Sequence, residues 1–212
     1  MSTAVDLTFM HATHAALRRD LVQLDRISIS ADHDLRQVLA SIAGWPRFKK
    51  ALRLHHAAAD DALWPALRWN LSGRPDDLVR LEVMEAEHAA FPPVLDAIDT
   101  SLADPEGDRA HLGSLIDVLC TGLDAHLTHE ETMVLPLLRE VLAPDQWAHF
   151  DAVRTEHLRA DAPVLLPWLL DGADGETAVK LLAPLPAAVR AAYAAQWLPA
   201  HRAADPWSPA GA

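Results

Sequence analysis

Two stretches, LHHAAADDALWPAL (Leu54–Leu67) and AHLTHEETMVLPLL (Ala125–Leu138), set histidines and acids in one frame. Aligned on Pro65 and Pro136, His55 falls on His126, Asp60 on Glu131, and Ala59 on Glu130. His126 and Glu130 are four residues apart, one turn along a single helical face. That face also carries Leu119, Leu123, Leu127, Val134 and Leu137, so both groups are aimed at a core. Unpartnered burial of an imidazole and a carboxylate is costly, so the two either bond to each other or hold something. In the first copy Phe48, Leu52 and Leu63 mark the inner face. His55 and His56 both lie near it, and Asp60 follows His56 by one turn. His14 sits on a stripe with Met10, Leu17 and Leu21, and His88 on one with Leu81, Met84 and Phe91. A lone histidine on an apolar stripe is ordinarily a satisfied core residue. Four helices that each turn a histidine inward at one height point instead to a cation. Imidazoles and carboxylates without thiolates suit iron, manganese or zinc, and a mostly imidazole set favours iron that keeps an open coordination position.

The elements that would position these residues are helical. Leu7, Met10, His14, Leu17, Leu21 and Leu24 recur at steps of three and four, predicting a helix over 3–27. A second helical stretch begins near 31, is punctuated by Gly44-Trp45-Pro46, and resumes from Pro46 through the first frame. Further helices are expected over 75–102, with Pro92-Pro93 inside, over 108–142, over 144–170, and in two shorter pieces ending near 203. The tail DPWSPAGA is expected to fray. Each half reads as a helix with one central histidine followed by a helix with the His-acid frame. Two such hairpins make an all-α, up-down four-helix bundle over 1–143. Residues 144–212 carry no ligand pattern and are expected as extra C-terminal helices packed on the bundle, gating access or offering a homodimer face.

Composition excludes several classes. A net charge of −12 argues against a nucleic-acid or anionic-lipid partner. No apolar run is long enough to span a membrane, and no secretory signal opens the chain. The single Cys120 forms no internal disulfide and no thiolate cluster, so a cytoplasmic location is expected. His11 and His129 are expected on outer faces. His33, His111, His149, His157 and His201 are expected in solvent, and Glu131 and Asp61 pointing outward.

The segments HAALRRDL from His14, LHHAAADDALWPAL, EAEHAAF around His88 and HLTHEETMVLPLL from His126 resemble a hemerythrin-like, or HHE cation-binding, domain over about residues 5–142. The resemblance implies a non-haem di-iron centre, two Fe per chain, bridged by carboxylates and a solvent species. It implies reversible O2 binding, or handling of NO, peroxide or iron, with His14, His88, His126 and Glu130 as ligands. The family frame HHxxEDxxLWP has its Glu where this chain has Ala59, whose methyl group cannot bridge metals. Two repairs are open: Asp60 serves with His56, or Asp60 serves with His55. Either needs local overwinding or a helix rotation near Trp64-Pro65. If neither holds, the site is mononuclear, weak or lost. The expectation is a di-iron protein binding O2 or a related small molecule. The rivals are a redox enzyme acting on peroxide or NO, and an iron or redox sensor or metal-poor interaction module.

Overall fold

The computed structural model describes residues 5–29, 35–104 and 106–208; His33 lies outside them. The described residues are helices and the turns between them, with no strand. Four rods form an up-down bundle. The first is α1 (Thr8–Ile29), followed by the short α2 (Leu35–Ser41). The second is α3 (Gly44–Ala58), continued through a π turn (Ala59–Leu63) into α4 (Trp64–Asn70). The third is α5 (Pro75–Ala103), and the fourth is α6 (Arg109–His129), continued through a π turn (Glu130–Val134) into α7 (Leu135–Val141). α1 packs on α3 and α6, and α5 packs on α4 and α6. Asp108 caps α6 by accepting the Ala110 N–H at 2.9 Å. Pro75 starts α5, while Pro92 and Pro93 lie inside that helix without ending it.

The π turns have a sequence cause. Trp64 N–H bonds Ala59 O and Leu135 N–H bonds Glu130 O, each reaching five residues back. A third π turn (Tyr193–Trp197) ends the same way, with Leu198 N–H on Tyr193 O. The next residue is proline in all three: Pro65, Pro136 and Pro199. Proline has no N–H, and its ring crowds the carbonyl four residues back. The turn before it relaxes into one wider loop of helix. The first frame is therefore widened by a residue; of the two adjustments set out for Asp60, local overwinding does not occur.

The C-terminal elements cover the bundle. α8 (Pro144–Leu158) lies along α3 and the first π turn and buries Phe150. The single helix expected over 144–170 is broken by a 3₁₀ turn (Arg159–Asp161), after which α9 (Ala162–Leu170) packs on α1. Pro163 cannot donate into a continued helix, which favours the break there. α10 (Gly175–Leu182), α11 (Ala187–Ala192) and, beyond the third π turn, α12 (Leu198–Ala203) complete the order. The tail does not fray over 205–208. Gly44 N–H bonds Pro206 O at 2.6 Å, and Trp207 Nε1 donates to Asp20 Oδ1 at 2.9 Å. Gly44 is required here, because a Cβ would lie 2.6 Å from the Trp207 ring.

Apolar burial is divided in two. One cluster holds Leu17, Leu52, Phe91 and Leu123; the other holds Met10, Leu63, Met84 and Val134. The inward-facing histidines lie along the rods between the two, so the bundle carries a polar layer between two dry ends.

Candidate metal centre

Each rod crosses from one apolar cluster to the other at its histidines. His14 lies between Met10 and Leu17, and His88 between Met84 and Phe91. His55 and His56 follow Leu52, and His126 follows Leu123. Adjacent antiparallel rods therefore bring five imidazoles and Glu130 to one level. Ligand atoms of His56, His88 and His126 lie within 4.8 Å of one another, and those of His14, His55 and Glu130 form a second such triad. The choice between His55 and His56 disappears, because each joins a different triad. The His56 and His88 rings stack with centroids 3.9 Å apart, and His126 stands edge-on to both. His14 and His55 meet edge to face at 5.1 Å.

The outer nitrogens are held by carboxylates. His14 Nδ1 meets Glu131 Oε1 at 2.9 Å, His88 Nδ1 meets Asp60 Oδ1 at 3.0 Å, and His126 Nδ1 meets Glu87 Oε2 at 2.8 Å. An ionised carboxylate only accepts, so each Nδ1–H donates outward and Nε2 is the nitrogen turned to the interior. This is the arrangement that orients imidazole toward a metal and makes it more basic. Arg18 steadies Glu131 at 2.6 Å and also reaches Asp124 and Thr128.

The inner atoms have no such partners. Nε2 of His14, His55, His56, His88 and His126, and both carboxylate oxygens of Glu130, are buried without a hydrogen bond among the described residues. His14 Nε2 and His55 Nε2 approach Glu130 Oε2 to 3.1 and 3.5 Å, but without hydrogen-bond alignment. A buried group left unsatisfied costs about 1–3 kcal/mol. Seven on one level form a donor set that fits a cation and little else.

Protonation is set by the same surroundings. Burial pushes His55 down, and burial with the neighbouring His88, His55 and His126 rings pushes His56 well down. Burial holds His126 down at about 4. These three are neutral at neutral pH, the form that binds metal. Burial also opposes charge on His14, but Glu130 and Glu131 outweigh it and hold the ring up at about 9. Burial opposes charge on Glu130 as well, yet His14 and His55 hold its carboxyl well below the usual range. A cation entering the second triad therefore displaces a proton from His14.

The structure does not bring Asp60 into either triad. Its carboxylate is half-exposed, with a side-chain exposure of 50%, and lies behind His88. Glu131 does not point outward; it braces His14. His129 shares Glu87 with His126, at 2.9 Å. Asp61 is exposed as expected but pairs with His157 Nε2 at 3.2 Å. Glu87 was not among the candidates. The only signal for it was its place beside His88, opposite two histidines three residues apart, His126 and His129.

A cavity of about 600 Å³ opens between the α3–α4 rod and α5. Leu52, Trp64, Phe91 and Leu95 line it, and His56 and His88 reach it. His14, His55 and Glu130 do not line it.

The model of the family described as hemerythrin HHE cation binding domain matches residues 5–138, more than half of the chain. The chain belongs to this family. No curated protein and no solved structure gives a significant match. The hemerythrin HHE match ends within α7, so α8 to α12 lie outside the matched region. No helix among the described residues is long and apolar enough to cross a membrane.

Proposed function

We propose that this hemerythrin-family chain is a non-haem iron protein. Its two triads hold a pair of iron ions and present one of them to O2 or a related small molecule, NO or peroxide, in the cytoplasm. The observation that carries this reading is the set of seven buried donor atoms without hydrogen-bond partners, backed by family membership. Iron bound there would supply a redox-active Lewis acid with coordination positions left over for a ligand. The chain's own residues do the rest. Glu131, Asp60 and Glu87 keep protons on the outer ring nitrogens, so the inner ones remain free to coordinate. Together with Glu130 they set four carboxylates against the charge of two divalent ions. Leu52, Phe91 and Leu95 supply the apolar part of the cavity wall beside the His56–His88 pair.

One observation favours a second reading, a redox enzyme that consumes peroxide or NO. The cavity is much larger than a diatomic molecule and open to solvent, which suits turnover more than sealed carriage. The test begins with metal analysis after anaerobic reconstitution with iron(II). Close to two irons per chain are expected, with a higher melting temperature than the metal-free protein. No tightly held metal would defeat the proposal. Net consumption of peroxide or NO by the loaded protein selects the enzyme; reversible uptake without consumption selects the carrier.

A further inference from the structure

We infer that the cavity between the α3–α4 rod and α5 binds a small aromatic carboxylate, held by Arg53 at one end and by a row of aromatic rings along the floor. The inference goes beyond the proposed function. It concerns an organic molecule recognised by the cavity wall, with or without a metal bound.

Two independent observations carry it. The first is size and lining. The cavity holds about 600 Å³, within the range of about 300–1,000 Å³ typical of sites for organic molecules. Four rings reach it in a row. Phe91 lies 5.5 Å from His56, His56 lies 3.9 Å from His88, and His88 lies 5.3 Å from Trp64, centroid to centroid. Such a row offers ring faces and edges against which another flat ring can stack or stand edge-on. A diatomic ligand has no use for this surface; a planar organic molecule does.

The second is charge. Arg53, Asp60, Arg68 and Glu85 all line the cavity. Arg68 donates to Glu85 across the two rods, which closes the Trp64 end. Asp60 is engaged with His88 at 3.0 Å. Arg53 has Asp96, but at 3.3 Å and with both side chains more than half exposed. A pair of that kind contributes little, so the guanidinium fork is open to a better acceptor. Arg53 precedes His56 by three residues and so stands one turn from it, on the same face. Asp60 lies seven residues farther on than Arg53, about 10 Å along the rod. A carboxylate bonded to Arg53 therefore lays its ring over Phe91 and His56 and stops short of Asp60. The chain's net charge of −12 disfavours anions in general, so an anion seated here is held by Arg53 and the rings.

The experiment titrates the full chain, metal-free and after anaerobic loading with iron(II), with para-fluorobenzoate, followed by fluorine NMR and calorimetry. Saturable binding of one molecule per chain is expected, with similar affinity in both forms. Cyclohexanecarboxylate keeps the charge and loses the flat ring; fluorobenzene keeps the ring and loses the charge. Each should bind at least about fivefold more weakly. Arg53→Gln should weaken binding about tenfold or more, Arg53→Lys by less, and Arg68→Gln by under about twofold. Ala89→Trp should block the cavity, and because Ala89 lines it from an exposed position the larger side chain leaves the core intact. No binding to either form, binding that survives both Arg53→Gln and Ala89→Trp, or a larger loss from Arg68→Gln than from Arg53→Gln would overturn the inference. Binding to the iron-loaded chain alone would mean that the carboxylate coordinates the ion, which overturns the inference and supports the metal centre. Binding to a chain that takes up no iron keeps the inference and removes the proposed function.

Discussion

Asp60 shows how one residue type at a suggestive position can serve a different end. From spacing it was the substitute for the carboxylate that Ala59 lacks, yet its oxygen lies 3.0 Å from the outer nitrogen of His88. Its work is then to fix that ring and its tautomer, so removal should weaken binding without deleting a site. Asp60→Ala is expected to lower affinity at the His56–His88–His126 triad by about 10–100-fold. Asp60→Asn, whose side-chain oxygen still accepts the Nδ1–H, should lose less. Competition titrations against a chelating chromophore measure this. If Asp60→Ala never reaches two ions even at saturating metal, Asp60 is a ligand after all.

At the scale of the element, a π turn is an α-helix carrying one extra residue. Deleting a residue from an ordinary helix rotates everything beyond it by about 100° and turns core residues outward. Inside a π turn the same deletion restores α geometry and leaves the flanks in register. Asp61 is an exposed member of the first π turn. Deletion of Asp61 is therefore expected to give a folded, cooperatively melting protein. Deletion of Leu67, fully buried in α4, should abolish the cooperative transition. Circular dichroism on heating separates the two, and equal damage from both would count against the one-residue account of the turn.

The whole molecule is tied together away from the metal layer by Asp20. It is buried on α1, accepts from Arg47 of α3 at 2.9 Å and Trp168 of α9 at 2.9 Å, and holds Trp207 of the tail at the same distance. Arg47 is itself buried, so its charge depends on this partner. Asp20→Ala leaves a buried guanidinium and two indole N–H groups without their acceptor. A loss of about 3–5 kcal/mol is expected, a large share of a stability that for most domains is about 5–15 kcal/mol. Urea unfolding measures it. Metal uptake at saturation should be unchanged, since Asp20 touches neither triad. A change below about 1 kcal/mol would mean that the extension is held by apolar packing alone.

Much of this protein was legible in its chain. The spacing of Leu, Met and His along each helix identified four rods with inward histidines. The repeated His-acid frame identified the level at which they meet, because helical periodicity alone decides which residues share a face. His14, His88, His126 and Glu130 follow from that periodicity, and so does the need for something to satisfy them. What periodicity cannot carry is the rotation and axial offset of one helix against the next. Those offsets put His55 and His56 in different triads. They also laid Glu87 of α5 against His126 of α6, Glu131 against His14, and Asp60 behind His88. The π turns were written in the prolines, but their effect on neighbouring faces is felt only once the helices pack. The docking of Trp207 on Asp20, 187 residues away, depends on the packing of every helix from α2 to α12, which no local pattern records. Residue types and local periods therefore determined that a cation-binding layer would exist. Tertiary packing decided which nitrogen faces inward, which carboxylate stands behind it, and which half of the layer opens to solvent.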